Sequence, residues 1–171
     1  MNLVVEIVPL VGITWKNKSI NLLDGKEKVE AILGNPNSVQ KNSYYYFGSE
    51  LRIDFDENSF VKYIEFLAGI DGDIQPMIYG VNAFEVSADT LFSILKDKND
   101  GHIDDSEYGY SYNFLNISVG IYRQGTPESF QEMIEEIEEE NEEMDAEELE
   151  YEKKKVNHWA TIGIGNKGYF L

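Results

Sequence analysis

The chain has 171 residues, of which 42% are hydrophobic, and a formal net charge of −18 at pH 7. This hydrophobic content is typical of a globular protein and too high for general disorder, and the absence of cysteine excludes a disulfide framework and thiolate chemistry. A chain this acidic repels the phosphate backbone, so we expect no nucleic acid partner but an attraction for basic proteins.

The first ten residues, MNLVVEIVPL, predict a β-strand rather than an export signal. They contain no basic residue, and Glu6 and Pro9 interrupt their apolar run, unlike the pattern of a signal peptide. No apolar run elsewhere reaches the length that spans a membrane. We therefore expect a soluble cytoplasmic protein without a membrane partner.

A helix followed by three strands is predicted next. Asp24 and Glu27 fit a capping box, and Gly34 with Pro36 ends the helix. The apolar face of this helix consists of Val29, Ile32 and Leu33. The strands are expected at about 43–47, 51–56 and 60–67, separated by the turn sequences GSE and DENS.

The second half of the chain has the same order of elements. Ser87 is expected to cap a helix that carries Leu91, Phe92, Ile94 and Leu95. Strands follow at about 110–115 and 117–122, and a delayed third strand is expected at 158–165, where Ile162 and Ile164 alternate with smaller residues.

Short motifs recur in the same order in the two halves, which indicates an internal duplication. The paired segments are IVPLVGI (7–13) with IQPMIYGV (74–81), KVEAIL (28–33) with TLFSIL (90–95), and FGSELRIDF (47–55) with FLNISVGI (114–121). We predict an α+β fold, a single domain over 1–171, in which two tandem helix–β-meander pseudo-repeats, about 1–70 and 71–171, share one antiparallel sheet.

An acidic segment at 127–156 separates the last two strands of the second repeat and is predicted to be a helical insertion. Residues 128–155 contain fourteen carboxylates and three lysines. Thr126 is a plausible cap, Pro127 suits the first helical position, and Asp145 with Glu148 can begin a second helix. Four residues at helical spacing are expected to pack against the sheet: Phe130, Met133, Ile134 and Ile137.

The polar face of the sheet is a candidate protein-binding surface. Alternation with apolar neighbours assigns to this face Tyr44, Tyr46, Arg52, Asp54, Asp56, Tyr63 and Glu65, with Asn113, Ser118, Tyr122 and Trp159 from the second repeat. Tyrosine and tryptophan among carboxylates are typical of such surfaces, because each ring buries a large area at low entropic cost. Alternatively, these rings cover the sheet or lie under the inserted helix.

Metal and catalytic motifs are weak in this chain. The segment KDKNDGHIDDSE has the spacing of a calcium loop, but Lys96 and Lys98 occupy positions that need oxygen ligands. Neither His102 nor His158 stands near a nucleophile-elbow serine, and no glycine-rich phosphate loop occurs. We therefore predict no metal, no cofactor and no catalytic residue.

The segment SINLLDGKEKVEAILGNP (19–36) resembles the signature of the tandem-repeat fold of β-lactamase inhibitor protein and small outer-membrane assembly lipoproteins. The resemblance implies two tandem units forming a sheet whose open face grips a protein. A cysteine-free, very acidic chain of this size is also similar in character to the immunity proteins of bacterial polymorphic toxin systems, which neutralise toxins that are often basic nucleases.

These observations together predict a non-catalytic cytoplasmic protein that neutralises a basic toxin or nuclease domain. A small carboxylate-dependent hydrolase and a nucleic-acid-mimicking inhibitor are the alternatives. The predicted partner-binding residues are Tyr44, Tyr46, Asp54, Asp56, Tyr63, Glu65, Tyr122 and Trp159 on the sheet and Glu132, Glu135, Glu136, Glu139 and Glu143 on the insertion. The sequence gives no indication of the oligomeric state.

Overall fold

The computed structural model describes residues 2–171 and shows an α+β fold. Over these residues the chain forms four α-helices and two β-sheets, one of five strands and one of eight. The predicted α+β class is therefore confirmed. None of the helices within residues 2–171 combines the length and apolar character needed to cross a membrane.

The first half of the chain supplies seven strands and one helix. They are β1 (Leu3–Val8), β2 (Gly12–Trp15), β3 (Lys18–Asn21), α1 (Lys26–Leu33), β4 (Ser38–Gln40), β5 (Ser43–Tyr46), β6 (Leu51–Phe55) and β7 (Val61–Phe66). The last three strands agree with the predicted ones to within one residue at each end, because turn residues bound them on both sides.

The second half supplies six strands and three helices. They are β8 (Ile74–Ile78), β9 (Val81–Asn82), α2 (Ala88–Asn99), β10 (Ile103–Asp104), β11 (Ser111–Phe114), β12 (Val119–Tyr122), α3 (Pro127–Glu139), α4 (Ala146–Val156) and β13 (Thr161–Gly165). Strands β12 and β13 pair directly with each other. The two helices that carry the acidic segment therefore lie, in chain order, between two neighbouring strands.

The strands divide between two sheets. The six strands predicted from the turn signals all lie in one antiparallel sheet that both halves of the chain share, as predicted, whereas the second, smaller sheet was not predicted. The large sheet is antiparallel, in the order β10-β11-β12-β13-β7-β6-β5-β4, and the two halves of the chain meet where β13 pairs with β7. The small sheet has the order β3-β2-β1-β8-β9, and β1 runs parallel to β8. Alternation within one segment does not reveal this pairing, because the two strands are distant in the chain.

Local capping chemistry explains where the helices begin. The Ser87 hydroxyl accepts a hydrogen bond from the Thr90 amide, as predicted. Thr126 caps α3 in a reciprocal capping box with Ser129, and Pro127 is its first residue. The capping box predicted at Asp24 is wrong: Gly25 is the cap of α1 and makes no side-chain cap bond, because the Asp24 carboxylate accepts from the Asn21 amide and from Lys28 instead.

One hydrophobic core joins both sheets and the first two helices. Its buried side chains include Val5, Ile7 and Ile13 of the small sheet, Ile53, Phe55 and Ile64 of the large sheet, Val29 of α1, and Leu91 and Leu95 of α2. The apolar residues Leu51, Ile53 and Phe55 face this core, as their alternation predicts. The opposite face of the large sheet is therefore its polar face, on which the partner-binding residues of the sheet are predicted to lie.

Candidate protein-binding site

The polar face of the large sheet contains fewer of the predicted tyrosines than alternation indicated. Tyr44 lies opposite Ile53 and Tyr46 opposite Leu51, and residues directly opposite each other point to the same face. Both tyrosines are therefore on the core face, and their predicted position is wrong. Tyr46 is only 4% exposed, and its hydroxyl donates to the Gly34 carbonyl at 3.1 Å. Tyr45, opposite Arg52, takes the place on the polar face.

Trp159 is also absent from the polar face, which corrects a second predicted position. It precedes β13 and is 2% exposed. Its indole Nε1 donates to the carbonyl of Ala88, at the start of α2, at 2.9 Å. Its ring meets that of Tyr112 edge-on at 5.8 Å. Trp159 is therefore a packing residue on the side of the sheet that α2 covers.

The residues that do lie on the polar face form a hydrogen-bonded network centred on Arg52. Its guanidinium donates two bonds to Asp54, at 3.0 and 2.9 Å, and its third nitrogen lies 3.3 Å from Glu65. Tyr63 donates to Glu65 at 3.0 Å, and Ser43 donates to Asp54 at 2.6 Å. Each carboxylate is thus satisfied inside the fold, and the network links strands β5, β6 and β7.

The chain's C-terminal residues cover much of this network. Tyr169 stacks on Tyr63, with 4.6 Å between ring centroids and 6° between planes, and Phe170 meets both rings edge-on. Ser118 holds the segment down by donating to the Asn166 carbonyl at 2.8 Å. With Asp54 at 7% and Tyr63 at 6% exposure, these two predicted contact residues are largely enclosed.

Glycines in the central strands make room for this cover. A Cβ at Gly163 would overlap the Tyr63 ring, and one at Gly120 would come within 2.8 Å of Phe170. A strand glycine commonly marks a close approach of other groups. The two glycines in the sequence GIG of β13 therefore indicate that an aromatic ring lies over this strand. The contacts of Tyr169 and Phe170 were not predicted, because these residues follow the last strand and alternation applies only within strands.

Asp56 and Tyr122, which were also predicted to contact a partner, have different surroundings in the structure. Asp56 lies in the turn between β6 and β7, where one carboxylate oxygen accepts from the amides of Asn58 and Phe60; it stabilises the turn. Tyr122 lies opposite Thr161 and Ser111 on the polar face and is 43% exposed. Of the aromatic residues predicted to contact a partner, Tyr122 is the most accessible.

The Glu65 carboxylate gives the network a measurable dependence on pH. Burial raises the pKa of Glu65 above its ordinary value, against the opposing effects of Arg52 and Tyr63. The folded protein therefore binds this proton more tightly than the unfolded chain. The corresponding stability is fully present below about pH 4, the ordinary range of a glutamate pKa, and is lost as pH rises through the raised pKa.

We expect Glu65→Gln to gain stability relative to the wild type between about pH 4 and pH 7, because glutamine does not titrate. The measurement is the free energy of unfolding in urea of both proteins at each pH. Glu57→Gln, at an exposed turn position, is the control and should show a smaller change. A difference between Glu65→Gln and wild type that stays constant or shrinks with pH would contradict the prediction.

The acidic helices present their carboxylates to solvent. Glu132, Glu135, Glu136 and Glu139 of α3 are exposed, as is Glu143 in the segment that joins α3 to α4. Within residues 2–171 the ion pairs involve only Lys28 with Asp24 and Arg52 with Asp54 and Glu65. The carboxylates of the helical pair α3–α4 therefore have no ion-pair partner in the described part of the chain.

The expected packing of α3 against the sheet is not found. Its apolar residues Phe130, Met133, Ile134 and Ile137 are all half-buried, and α3 contains no fully buried residue. Helical periodicity predicts an apolar stripe, but it does not tell whether the stripe meets a closed core or an open space.

Polar contacts attach the end and the middle of α4 to the body of the protein. Arg123, buried and placed over the Trp159 ring, donates to the carbonyl of Val156 at 2.8 Å and to that of Gly109 at 3.0 Å. Tyr151 donates to the carboxylate of Asp71 at 2.5 Å. The first contact holds the end of α4, and the second holds its middle.

Histidine and carboxylate side chains are the groups of this chain suited to binding a metal ion or transferring a proton. Over residues 2–171, no group of three or more histidine, aspartate or glutamate side chains is arranged to hold a metal ion. The Nδ1 of His158 lies 2.7 Å from the Lys154 carbonyl, which ties this ring to the end of α4. The cluster of Asp54 and Glu65 around Arg52 is a cross-strand link.

Similarity to known proteins adds no constraint on the site. Protein-family models, curated proteins and solved structures contain no match to this chain. The resemblance to the tandem-repeat inhibitor fold and to immunity proteins therefore stays a prediction. The two features that bear on function are the exposed helical pair and the enclosed sheet face.

Proposed function

We propose that this chain is a non-catalytic protein that binds and neutralises a basic protein domain, in the manner of an immunity protein bound to its toxin. The observation that carries the proposal is the helical pair with its joining segment, whose fourteen carboxylates over residues 128–155 have no ion-pair partner among residues 2–171. Such a concentration of charge accelerates the encounter with an oppositely charged partner.

The helical pair is favoured over the sheet face as the main contact surface. Asp54, Glu65 and Tyr63 already satisfy one another through Arg52, and Tyr169 and Phe170 lie over them. Breaking that network to reach a partner would leave buried polar groups unpaired, at a high cost. The exposed glutamates of α3 are open to a partner without such a change.

The proposal includes an architecture of two tandem units, 1–70 and 71–171, with the helical pair inserted in the second. In each unit one helix, α1 or α2, is followed by antiparallel strands. The direct pairing of β12 with β13 supports an insertion, because these strands would form an ordinary hairpin without the helices. The absence of cysteine is consistent with the cytoplasmic location that we also propose.

Co-expression tests this function. The probe is the C-terminal domain encoded by the neighbouring upstream reading frame, which we expect to be basic and to stop bacterial growth when produced alone. We expect the present chain to restore growth and to co-purify with that domain in a fixed ratio. An unrelated protein of equal net charge is the control for non-specific binding to a polyanion and should not restore growth.

Two outcomes would contradict the proposal. One is continued growth arrest while both proteins are soluble and equally abundant. The other is a gene neighbourhood that encodes only metabolic enzymes and no basic domain.

A further inference from the structure

A cavity of about 340 Å³ lies between the helical pair and the body of the protein. Its wall is mostly apolar and includes Ile70, Phe130, Met133, Val156 and Trp159. Its volume falls at the lower end of the range of ligand pockets in proteins. A space of this size accommodates one large side chain with part of its neighbours.

The cavity explains why α3 has an apolar stripe but no buried residue. Phe130 and Met133 face this space rather than a packed core, and both are half-buried. Contacts at the base and along α4 keep the space open, since Arg123 holds the Val156 carbonyl and Tyr151 holds Asp71. Apolar surface left in an open, braced cavity costs free energy, which an apolar occupant would recover.

The lining of the cavity also includes charged side chains. Asp71 and Glu152 contribute carboxylates to the lining, and Lys155 and His158 are the cationic or titratable groups there. The exposed Glu132, Glu135 and Glu139 lie on the side of α3 away from Phe130 and Met133, and Glu136 lies at its flank. The lining itself has two carboxylates against one lysine, which favours a side chain whose neighbours carry positive charge.

We infer that this cavity receives a large apolar or aromatic side chain of the basic partner, flanked by arginine or lysine residues that contact the surrounding carboxylates. The inference rests on the proposed function and assigns it an anchor site. Aromatic anchors in desolvated pockets carry a large part of the energy of protein–protein binding. The acidic helices then determine how fast the partner arrives, and the cavity determines how long it stays.

Capped peptides provide a test that does not need the partner. The probes are acetyl-Arg-Phe-Arg-amide and the matched acetyl-Arg-Ala-Arg-amide, titrated while NMR follows the Trp159 indole N–H and the Met133 methyl group. We expect the phenylalanine peptide to shift both signals and to bind about tenfold more tightly than the alanine peptide. Equal affinities, or shifts confined to the exposed faces of α3 and α4, would overturn the inference.

Variants of Met133 locate the binding. Met133→Trp fills the cavity and should remove the preference for phenylalanine. Ile137→Trp, one turn further along α3 and outside the cavity lining, is the matched control and should keep that preference. Met133→Gln, which retains the length of the side chain, should reduce the preference even where the tryptophan variant folds poorly. Undiminished preference in both Met133 variants would overturn the inference.

The two proposals fail separately. A partner domain that binds Met133→Trp as tightly as wild type removes the anchor site and leaves the proposed function intact. A cavity that selects the phenylalanine peptide in a chain that does not protect against the toxic domain removes the proposed function and leaves an apolar-side-chain site.

Discussion

Replacing Gly163 by alanine should destabilise the protein by about 1–3 kcal/mol, the usual cost of overpacking a filled site. A Cβ at this position would overlap the hydroxyl and ring carbons of Tyr63. Tyr63 cannot move without cost, because it donates to Glu65 and stacks on Tyr169. The expected result is a lower urea midpoint at an unchanged denaturant slope, since both states remain otherwise similar.

A double-mutant cycle identifies the cause. In a Tyr63→Ala background the added methyl group of Gly163→Ala has space, so its cost should largely disappear, and the two effects should be strongly non-additive. Gly25→Ala is the matched glycine control, because its Cβ would meet only the Glu27 side chain at 3.5 Å. Additive effects, or a midpoint as high as that of the wild type, would show that the sheet face is not closely covered.

The covered sheet face illustrates what alternation can and cannot predict. Leu51, Ile53 and Phe55 alternate with polar residues, so their face was evident from the sequence. In SYYYF (43–47) three tyrosines follow one another, and an amphipathic ring fits either face; only the pairing with β6 decides that Tyr45 is outside. A shift of one residue exchanges the two faces, and for this strand no apolar pattern prevents the error.

Local chemistry was predicted better than distant contacts. Ser87 and Thr126 cap their helices because a hydroxyl finds an amide three residues away, and this information is contained in a few neighbouring residues. Asp24 failed as a cap because the Asn21 amide and Lys28 compete for the same carboxylate. The small sheet and the open cavity under α3 depend on contacts between distant segments, which single-segment patterns do not encode.

Neutralising five carboxylates of the helical pair and its joining segment should slow association with the basic partner at least about tenfold at low salt, within the usual range of electrostatic steering. The change combines Glu132→Gln, Glu135→Gln, Glu136→Gln, Glu139→Gln and Glu143→Gln. Dissociation should change by less than about threefold, because exposed charges affect encounter more than the bound state. Folding should be retained or strengthened, since repulsion between glutamates four residues apart, such as Glu132 and Glu136, is relieved.

A second variant separates local steering from total charge. It neutralises five exposed carboxylates outside the helical pair: Glu6→Gln, Glu57→Gln, Asp97→Asn, Asp105→Asn and Glu107→Gln. Both variants change the net charge equally, so only the location of the lost charge differs.

Stopped-flow association with the domain used in the co-expression test should show the larger loss of association rate for the helical variant. The two rates should converge with wild type near 1 M salt, where the screening length is about 3 Å. Equal losses in both variants, or an association rate independent of salt, would mean that the acidic helices serve solubility alone.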